Sequence, residues 1–121
     1  MSFNKFHAVS TVCMSRHKHP SKGEARRCDE LALMQRGGAI TDLVQQPVVE
    51  LEPGIGYRVD FSYILKGNSF RTWEDFKGVE TERFRLICKL WVLHGPGPLR
   101  VSVTGGAGPC KIDRVIFPKE K

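Results

Sequence analysis

Tyr57-Arg58-Val59-Asp60-Phe61-Ser62-Tyr63-Ile64-Leu65-Lys66-Gly67-Asn68-Ser69-Phe70-Arg71-Thr72-Trp73-Glu74-Asp75-Phe76-Lys77 has the pattern of two strands joined by a tight turn. Between Tyr57 and Leu65 the residues alternate. Val59, Phe61, Tyr63 and Leu65 fall on one face, and Arg58, Asp60, Ser62 and Ile64 on the other, the period of a strand. Lys66-Gly67-Asn68-Ser69 follows, and Gly-Asn as two central residues signals a tight hairpin. Phe70 to Lys77 is then the returning strand. A two-residue turn sets Lys66 against Ser69, and this register places Asp60 directly opposite Asp75. Facing carboxylates in a sheet repel. Lys77 lies two residues beyond Asp75 and shares its face. The expected surface is therefore Asp60, Asp75 and Lys77 in one cluster. A divalent cation bridging the carboxylates makes use of their proximity, and Mg²⁺ suits it because Mg²⁺ takes one or two carboxylates and fills its octahedron with water and phosphate oxygens. The competing reading is a solvated strand face on which Lys77 neutralises the pair, and a one-residue change in the turn would slide the register.

Upstream of this hairpin, Ser21-Lys22-Gly23-Glu24 has the spacing of a capping box and opens a helix. The helix runs to about Arg36 and stops at Gly37-Gly38. Its apolar side is Ala25, Cys28, Leu31 and Ala32. Glu24 serves the cap and also stands at the rim of that stripe, from which it can look across at the sheet. Thr41 to Leu51 reads as a strand interrupted in character by Pro47, and Pro53-Gly54-Ile55-Gly56 as a turn. Glu80 to about Leu93 is a second helix, with Phe84, Ile87, Cys88 and Trp91 on one stripe. His94-Gly95-Pro96-Gly97-Pro98 ends it. Leu99 to Val103 is a further strand, Phe6 to Met14 a short additional one, and Lys111 to Phe117 a last one. The order is helix, three strands, helix, strand, which is an α/β (α+β) fold with a mixed sheet flanked by two helices. Phe61, Phe70, Phe84 and Trp91 are expected in the core, and Trp73 under the first helix.

The chain has 121 residues, 40% hydrophobic and 26% charged, so it fits one globular domain. No apolar run approaches the roughly 20 residues of a membrane span, and no signal peptide opens the chain, which reads as soluble and cytoplasmic. The net charge is +6. Residues 1–27 hold a balance of +5 and residues 111–121 of +2, around a nearly neutral middle. A basic end on a small domain suits a polyanion such as nucleic acid. Cys13, Cys28, Cys88 and Cys110 are scattered without a C-x-x-C pair, so free buried thiols are expected. Cys13, His17 and His19 lie close together and would hold zinc given one more ligand. Their spacing matches no common zinc pattern, so His17 and His19 are read as extending the basic approach to the first helix.

Together these residues resemble the PD-(D/E)XK nuclease superfamily, and more closely a group of small phage and prophage proteins within it that are often known only as a domain of unknown function. The resemblance rests on Ser21-Lys22-Gly23-Glu24-Ala25, Asp42-Leu43-Val44-Gln45-Gln46-Pro47, Tyr57-Arg58-Val59-Asp60-Phe61 and Glu74-Asp75-Phe76-Lys77-Gly78. It covers roughly residues 20–93. The proline that names the motif is absent: Val59 precedes Asp60. The resemblance implies a restriction-endonuclease-like αβββαβ core over about residues 20–104, with a basic N-terminal extension over 1–19 and a C-terminal extension over 105–121, in a single domain. It implies a metal-dependent endodeoxyribonuclease that hydrolyses DNA phosphodiesters with Mg²⁺ or Mn²⁺, acting on branched, recombination or replication intermediates of a phage in the host cytoplasm. Glu24, Asp60, Asp75 and Lys77 are then catalytic. Asp60, Asp75, the Phe76 backbone carbonyl and Glu24 hold metal. Lys18, Lys22, Arg26, Arg27, Arg85 and Lys89 are candidate DNA contacts, and Gln46 is a weaker candidate facing the site. A homodimer fits junction resolution, which needs two cuts.

Two other readings stand beside this one. In the first, the same fold serves as a non-catalytic DNA- or protein-binding module, with a basic surface and no affinity for Mg²⁺. In the second, the domain is structural and its Cys13–His17–His19 region binds zinc.

Overall fold

Two short strands begin the computed structural model, which describes residues 10–120. β1 (Thr11–Val12) and β2 (Lys18–His19) pair antiparallel. The turn between them is closed by the Cys13 N–H on the His17 carbonyl and the Arg16 N–H on the Cys13 carbonyl, both 2.9 Å. Of the strand expected over Phe6–Met14, only this end is seen, and the part before residue 10 lies outside the described residues.

α1 (Lys22–Arg36) starts where its cap predicts. The Ser21 hydroxyl accepts the Glu24 N–H at 3.1 Å, satisfying one of the first-turn donors. It stops at a Schellman turn: Gly38 takes φ +86, the Ala39 N–H reaches the Met34 carbonyl at 2.9 Å, and the Gly38 N–H reaches that of Gln35 at 3.1 Å.

The strand expected over Thr41–Leu51 is two strands, β3 (Ile40–Gln45) and β4 (Val48–Glu52). Gln46, at φ +50, and Pro47 break it. β5 (Ile55–Arg58) returns from the Pro53-Gly54 turn and pairs with β4, and β6 (Phe61–Leu65) returns along β3. The expected strand Tyr57–Leu65 is thus also broken, at Val59-Asp60. The two breaks face each other: the Gln46 N–H donates to the Asp60 carbonyl at 2.9 Å and the Val59 N–H to the Pro47 carbonyl at 2.8 Å. The result is one long hairpin bent in the middle, with β4–β5 as its arm. Because the alternation resets at the bend, Val59 and Phe61 do not share a face as the pattern suggests.

β7 (Thr72–Phe76) pairs with β6 in the expected register, with Phe61 opposite Glu74, Ser62 opposite Trp73 and Tyr63 opposite Thr72. The turn itself differs. Its central residues are Lys66 and Gly67, with the Asn68 N–H on the Leu65 carbonyl at 3.0 Å and Gly67 at φ +86. A left-handed residue at the third turn position favours Gly67 there. The longer connection to Thr72 restores the same pairing.

α2 (Glu82–His94), capped by Thr81, then carries the chain to β8 (Leu99–Gly105), which lies parallel to β7. β9 (Gly108–Ile116) pairs antiparallel with β8 and forms the edge of a five-stranded sheet of order β3-β6-β7-β8-β9. Within the C-terminal stretch expected as an extension, Gly108–Ile116 therefore supplies a strand of the sheet.

The helices take opposite faces. Ala25, Cys28 and Leu31 of α1 pack with Cys13 on Ile40, Phe61 and Tyr63. Ile87 and Trp91 of α2 pack on Val49, Leu51, Val59 and Leu99. Trp73, expected under the first helix, is instead under the second, its ring centroid 5.9 Å from that of Trp91. Phe70, expected in the core, is exposed. Among the described residues no helix is long and apolar enough to cross a membrane.

Candidate functional site

The site forms where the β6–β7 ladder stops. Beyond the Phe61–Glu74 pair the two strands exchange backbone-to-carboxylate bonds in place of ladder bonds. The Asp60 N–H donates to Asp75 Oδ1 at 2.9 Å, and the Phe76 N–H donates to Asp60 Oδ2 at 2.8 Å. The two aspartates are neighbours across the strand gap, as the register argument requires. Asp75 is fully buried and its other oxygen accepts the Tyr57 hydroxyl at 2.5 Å. Lys77 Nζ stands 4.0 Å from Asp75 Oδ2 and 3.4 Å from the Tyr57 oxygen, and it rests over the Phe84 ring.

Glu24 approaches from α1. Only half of the expected capping box is made, because its carboxylate turns away from the cap and meets His19 Nδ1 at 2.6 Å, with both side chains buried. An open cleft of about 400 Å³ is lined by Ser21, Glu24, Asp60, Phe76, Lys77 and Gly78, among others. Three of the four residues expected to be catalytic thus share one cleft. Asp75 stands behind its wall, bonded to Asp60.

The electrostatics follow from that crowding. Burial, then Asp75, then Glu24 push the Asp60 carboxyl well above the usual aspartate range, while the Phe76 N–H and Lys77 oppose the shift. Burial also raises Asp75, against the pull of Lys77, the Tyr57 hydroxyl and the Asp60 N–H. Burial and Asp75 keep the Tyr57 phenol protonated and available as a donor. Such a site holds oxygen donors whose negative charge is only partly matched by Lys77. This is the donor chemistry that a small, hard divalent cation takes. Glu24 and Asp60 are the carboxylates that would reach such a cation from the cleft, which Phe76 also lines, and Asp75 the one that would support it from behind.

Arg27 is not a DNA contact. It is 5% exposed, and its guanidinium lies bidentate on Glu74, with Nε to Oε2 at 2.6 Å and Nη2 to Oε1 at 2.9 Å. Ser102 donates to the same carboxylate at 2.7 Å, and Tyr63 bonds it as well. This buried network joins α1 to the centre of the sheet. Position 27 lies one turn before Leu31 and next to Cys28, so the helical stripe itself marked it as inward. Arg26 is exposed but bonded to the Gly106 and Gly108 carbonyls, and it pairs with Glu30. Lys18, Lys22, Arg85 and Lys89 are exposed. Gln46 is exposed and lies outside the cleft, whereas Gln45 turns inward to Cys28. Tyr57 and His19, which hold Asp75 and Glu24, were not singled out for these roles by the spacing of the sequence.

No protein-family model, curated protein or solved structure matches the chain.

Proposed function

We propose that the protein is a Mg²⁺-dependent endonuclease that hydrolyses DNA phosphodiesters on a restriction-endonuclease-like core. The observation that carries this reading is the pair of backbone-to-carboxylate bonds at the end of the β6–β7 ladder, from the Asp60 N–H to Asp75 and from the Phe76 N–H to Asp60, with Glu24 and Lys77 brought to the same place. The topology supports it. α1, β3, β6, β7, α2 and β8 follow in the order αβββαβ, with neighbouring strands β3-β6-β7-β8 and a parallel final pair. The β4–β5 arm is then an insertion between the first two core strands, and β9 an addition at the edge.

Glu24, Asp60 and the Phe76 carbonyl would hold the cation, with Asp75 supporting Asp60 from behind. When bound, Mg²⁺ supplies positive charge at the scissile phosphate and makes a water there more acidic. Lys77 orients the attacking water and stabilises negative charge growing on the phosphoryl oxygens. Tyr57 acts as a positioning residue: its hydroxyl fixes Asp75 and its oxygen lies in reach of Lys77. Lys18, Lys22, Arg85 and Lys89 hold the DNA backbone through contacts that carry no sequence information and weaken with salt.

Asp75→Asn tests the reading. It should abolish Mg²⁺-dependent nicking while DNA binding stays close to wild type. Equal nicking by variant and wild type in a clean preparation would refute it. A binding module on the same fold would hold DNA and give no heat on calorimetric titration with Mg²⁺ or Mn²⁺.

A further inference from the structure

We propose that Cys13, His17, His19 and Cys28 bind a structural zinc ion that fastens the β1–β2 turn to α1 and fixes the Glu24 carboxylate at the rim of the cleft. The four ligand atoms all lie within 4.8 Å of one another. His17 Nδ1 is 3.6 Å from Cys13 Sγ and 3.6 Å from Cys28 Sγ. In a tetrahedral site with ordinary Zn–S and Zn–N bonds, the sulfur–nitrogen edge is about 3.6 Å. A single imidazole nitrogen can make only one hydrogen bond along its lone pair or N–H. Equal distances to two sulfurs fit a shared central ion better than a pair of thiol contacts.

His19 supplies an independent indication. It is 1% exposed, its Nδ1 is taken by Glu24, and its Nε2 is buried with no hydrogen-bond partner. A proton on Nδ1 leaves the Nε2 lone pair free, which is the form of histidine that ligates metal. A carboxylate on the far nitrogen is the usual support for such a ligand. The sulfurs are supported as well: the His17 N–H donates to Cys13 Sγ at 3.3 Å, and the Gln45 amide donates to Cys28 Sγ at 3.3 Å. Two thiolates and two imidazoles select zinc, and a set of four protein ligands leaves no open position for substrate. On binding, Cys13 and Cys28 release their thiol protons to solvent.

The fold gives this ion a task. β1 and β2 have two residues each, too few for a hairpin to hold its shape alone. Three ligands come from that hairpin and its turn, and the fourth from the middle of α1. The sequence spacing hid the site because the fourth ligand, Cys28, lies on an apolar helical stripe and reads as an ordinary core thiol.

The test is the metal content of the chain, purified without chelator. One zinc per chain is expected. Cys28→Ser and Cys13→Ser should lose it, and Cys88→Ser and Cys110→Ser should retain it. Because the first two variants could fail to fold, the wild type is also stripped and refilled with Co²⁺. The expected result is stoichiometric uptake with the visible absorption of a tetrahedral cobalt–thiolate centre. A folded wild-type chain that purifies without zinc and takes up neither Zn²⁺ nor Co²⁺ would overturn the proposal. So would zinc retained in full by a folded Cys28→Ser protein. These readouts involve no DNA, so loss of the nuclease reading would leave them standing.

Discussion

Asp60→Asn should make the protein more stable without a divalent cation in the cleft and less stable with one. In the cation-free protein the charged Asp60 is opposed by burial, Asp75 and Glu24. Asparagine keeps an oxygen for the Phe76 N–H, which Asp60 accepts at 2.8 Å, and removes the charge. A raised carboxyl binds its proton more tightly in the folded chain than in the unfolded one. Its contribution to stability is therefore complete below the ordinary aspartate value of 3.8 and is lost as pH rises through the raised value. At pH 8 the variant should thus be the more stable, each 1 kcal/mol gained being roughly 5 °C in Tm for a domain of this size. A cation at a hundred times its Kd stabilises the wild type by about 2.7 kcal/mol, which is roughly 10 °C. The variant should gain little. The assay is thermal unfolding of zinc-loaded protein at pH 8, with and without Mg²⁺ or Mn²⁺. The order of the two Tm values should reverse on adding the cation, and the wild-type shift should shrink toward pH 5 as the carboxyls take up protons. A variant that is less stable without cation, or that shifts with cation as much as wild type, would show that Asp60 neither carries an unfavourable buried charge nor holds the cation.

Lys77→Met should slow cleavage while leaving cation affinity within a few-fold, as read by calorimetry beside a cleavage time course; a variant at full rate would remove Lys77 from the mechanism. Arg27→Met leaves the buried Glu74 carboxylate without its cation and should cost about 3–5 kcal/mol in chemical denaturation. Adding Glu74→Gln should recover much of that loss, and an Arg27→Met protein as stable as wild type would contradict the buried pair. Replacing Lys22, Arg85 and Lys89 together by alanine should weaken DNA binding evenly across sequences and flatten its salt dependence by about 0.9 in log–log slope for each phosphate no longer neutralised. An unchanged slope would place the DNA elsewhere.

What could be read from the sequence was what is decided locally. Ser21 and Gly37-Gly38 bound α1 because caps satisfy backbone groups within one turn. The pairing of β6 with β7 was legible because a buried face punishes any slip, and it survived even though Lys66-Gly67 makes the turn in place of Gly67-Asn68. The interruption at Pro47 was legible from the proline itself, whereas the break at Val59-Asp60 was hidden, since it has no local cause and is held by Gln46-Pro47 across the bent hairpin. The site was half legible. Asp60, Asp75 and Lys77 followed from register, and Glu24 from its place on the helix. Tyr57 and His19 were not, because their partners lie on other elements. The helical stripe marks Arg27 as inward, but its partner Glu74 lies on β7 and no spacing along the chain joins the two. Cys28 was legible as buried and illegible as a ligand for the same reason, its position on the apolar stripe.

The most direct measurement is a cleavage panel of four-way, flap, duplex and single-stranded DNA, run with zinc-loaded wild-type protein with Mg²⁺ present or omitted and with Asp75→Asn as the control. Cleavage of at least one of these substrates by the wild type, dependent on Mg²⁺ and absent from Asp75→Asn, is the result expected. Cleavage of none of them with Mg²⁺ or Mn²⁺ supplied, or cleavage that persists undiminished when divalent cation is omitted, would contradict the account.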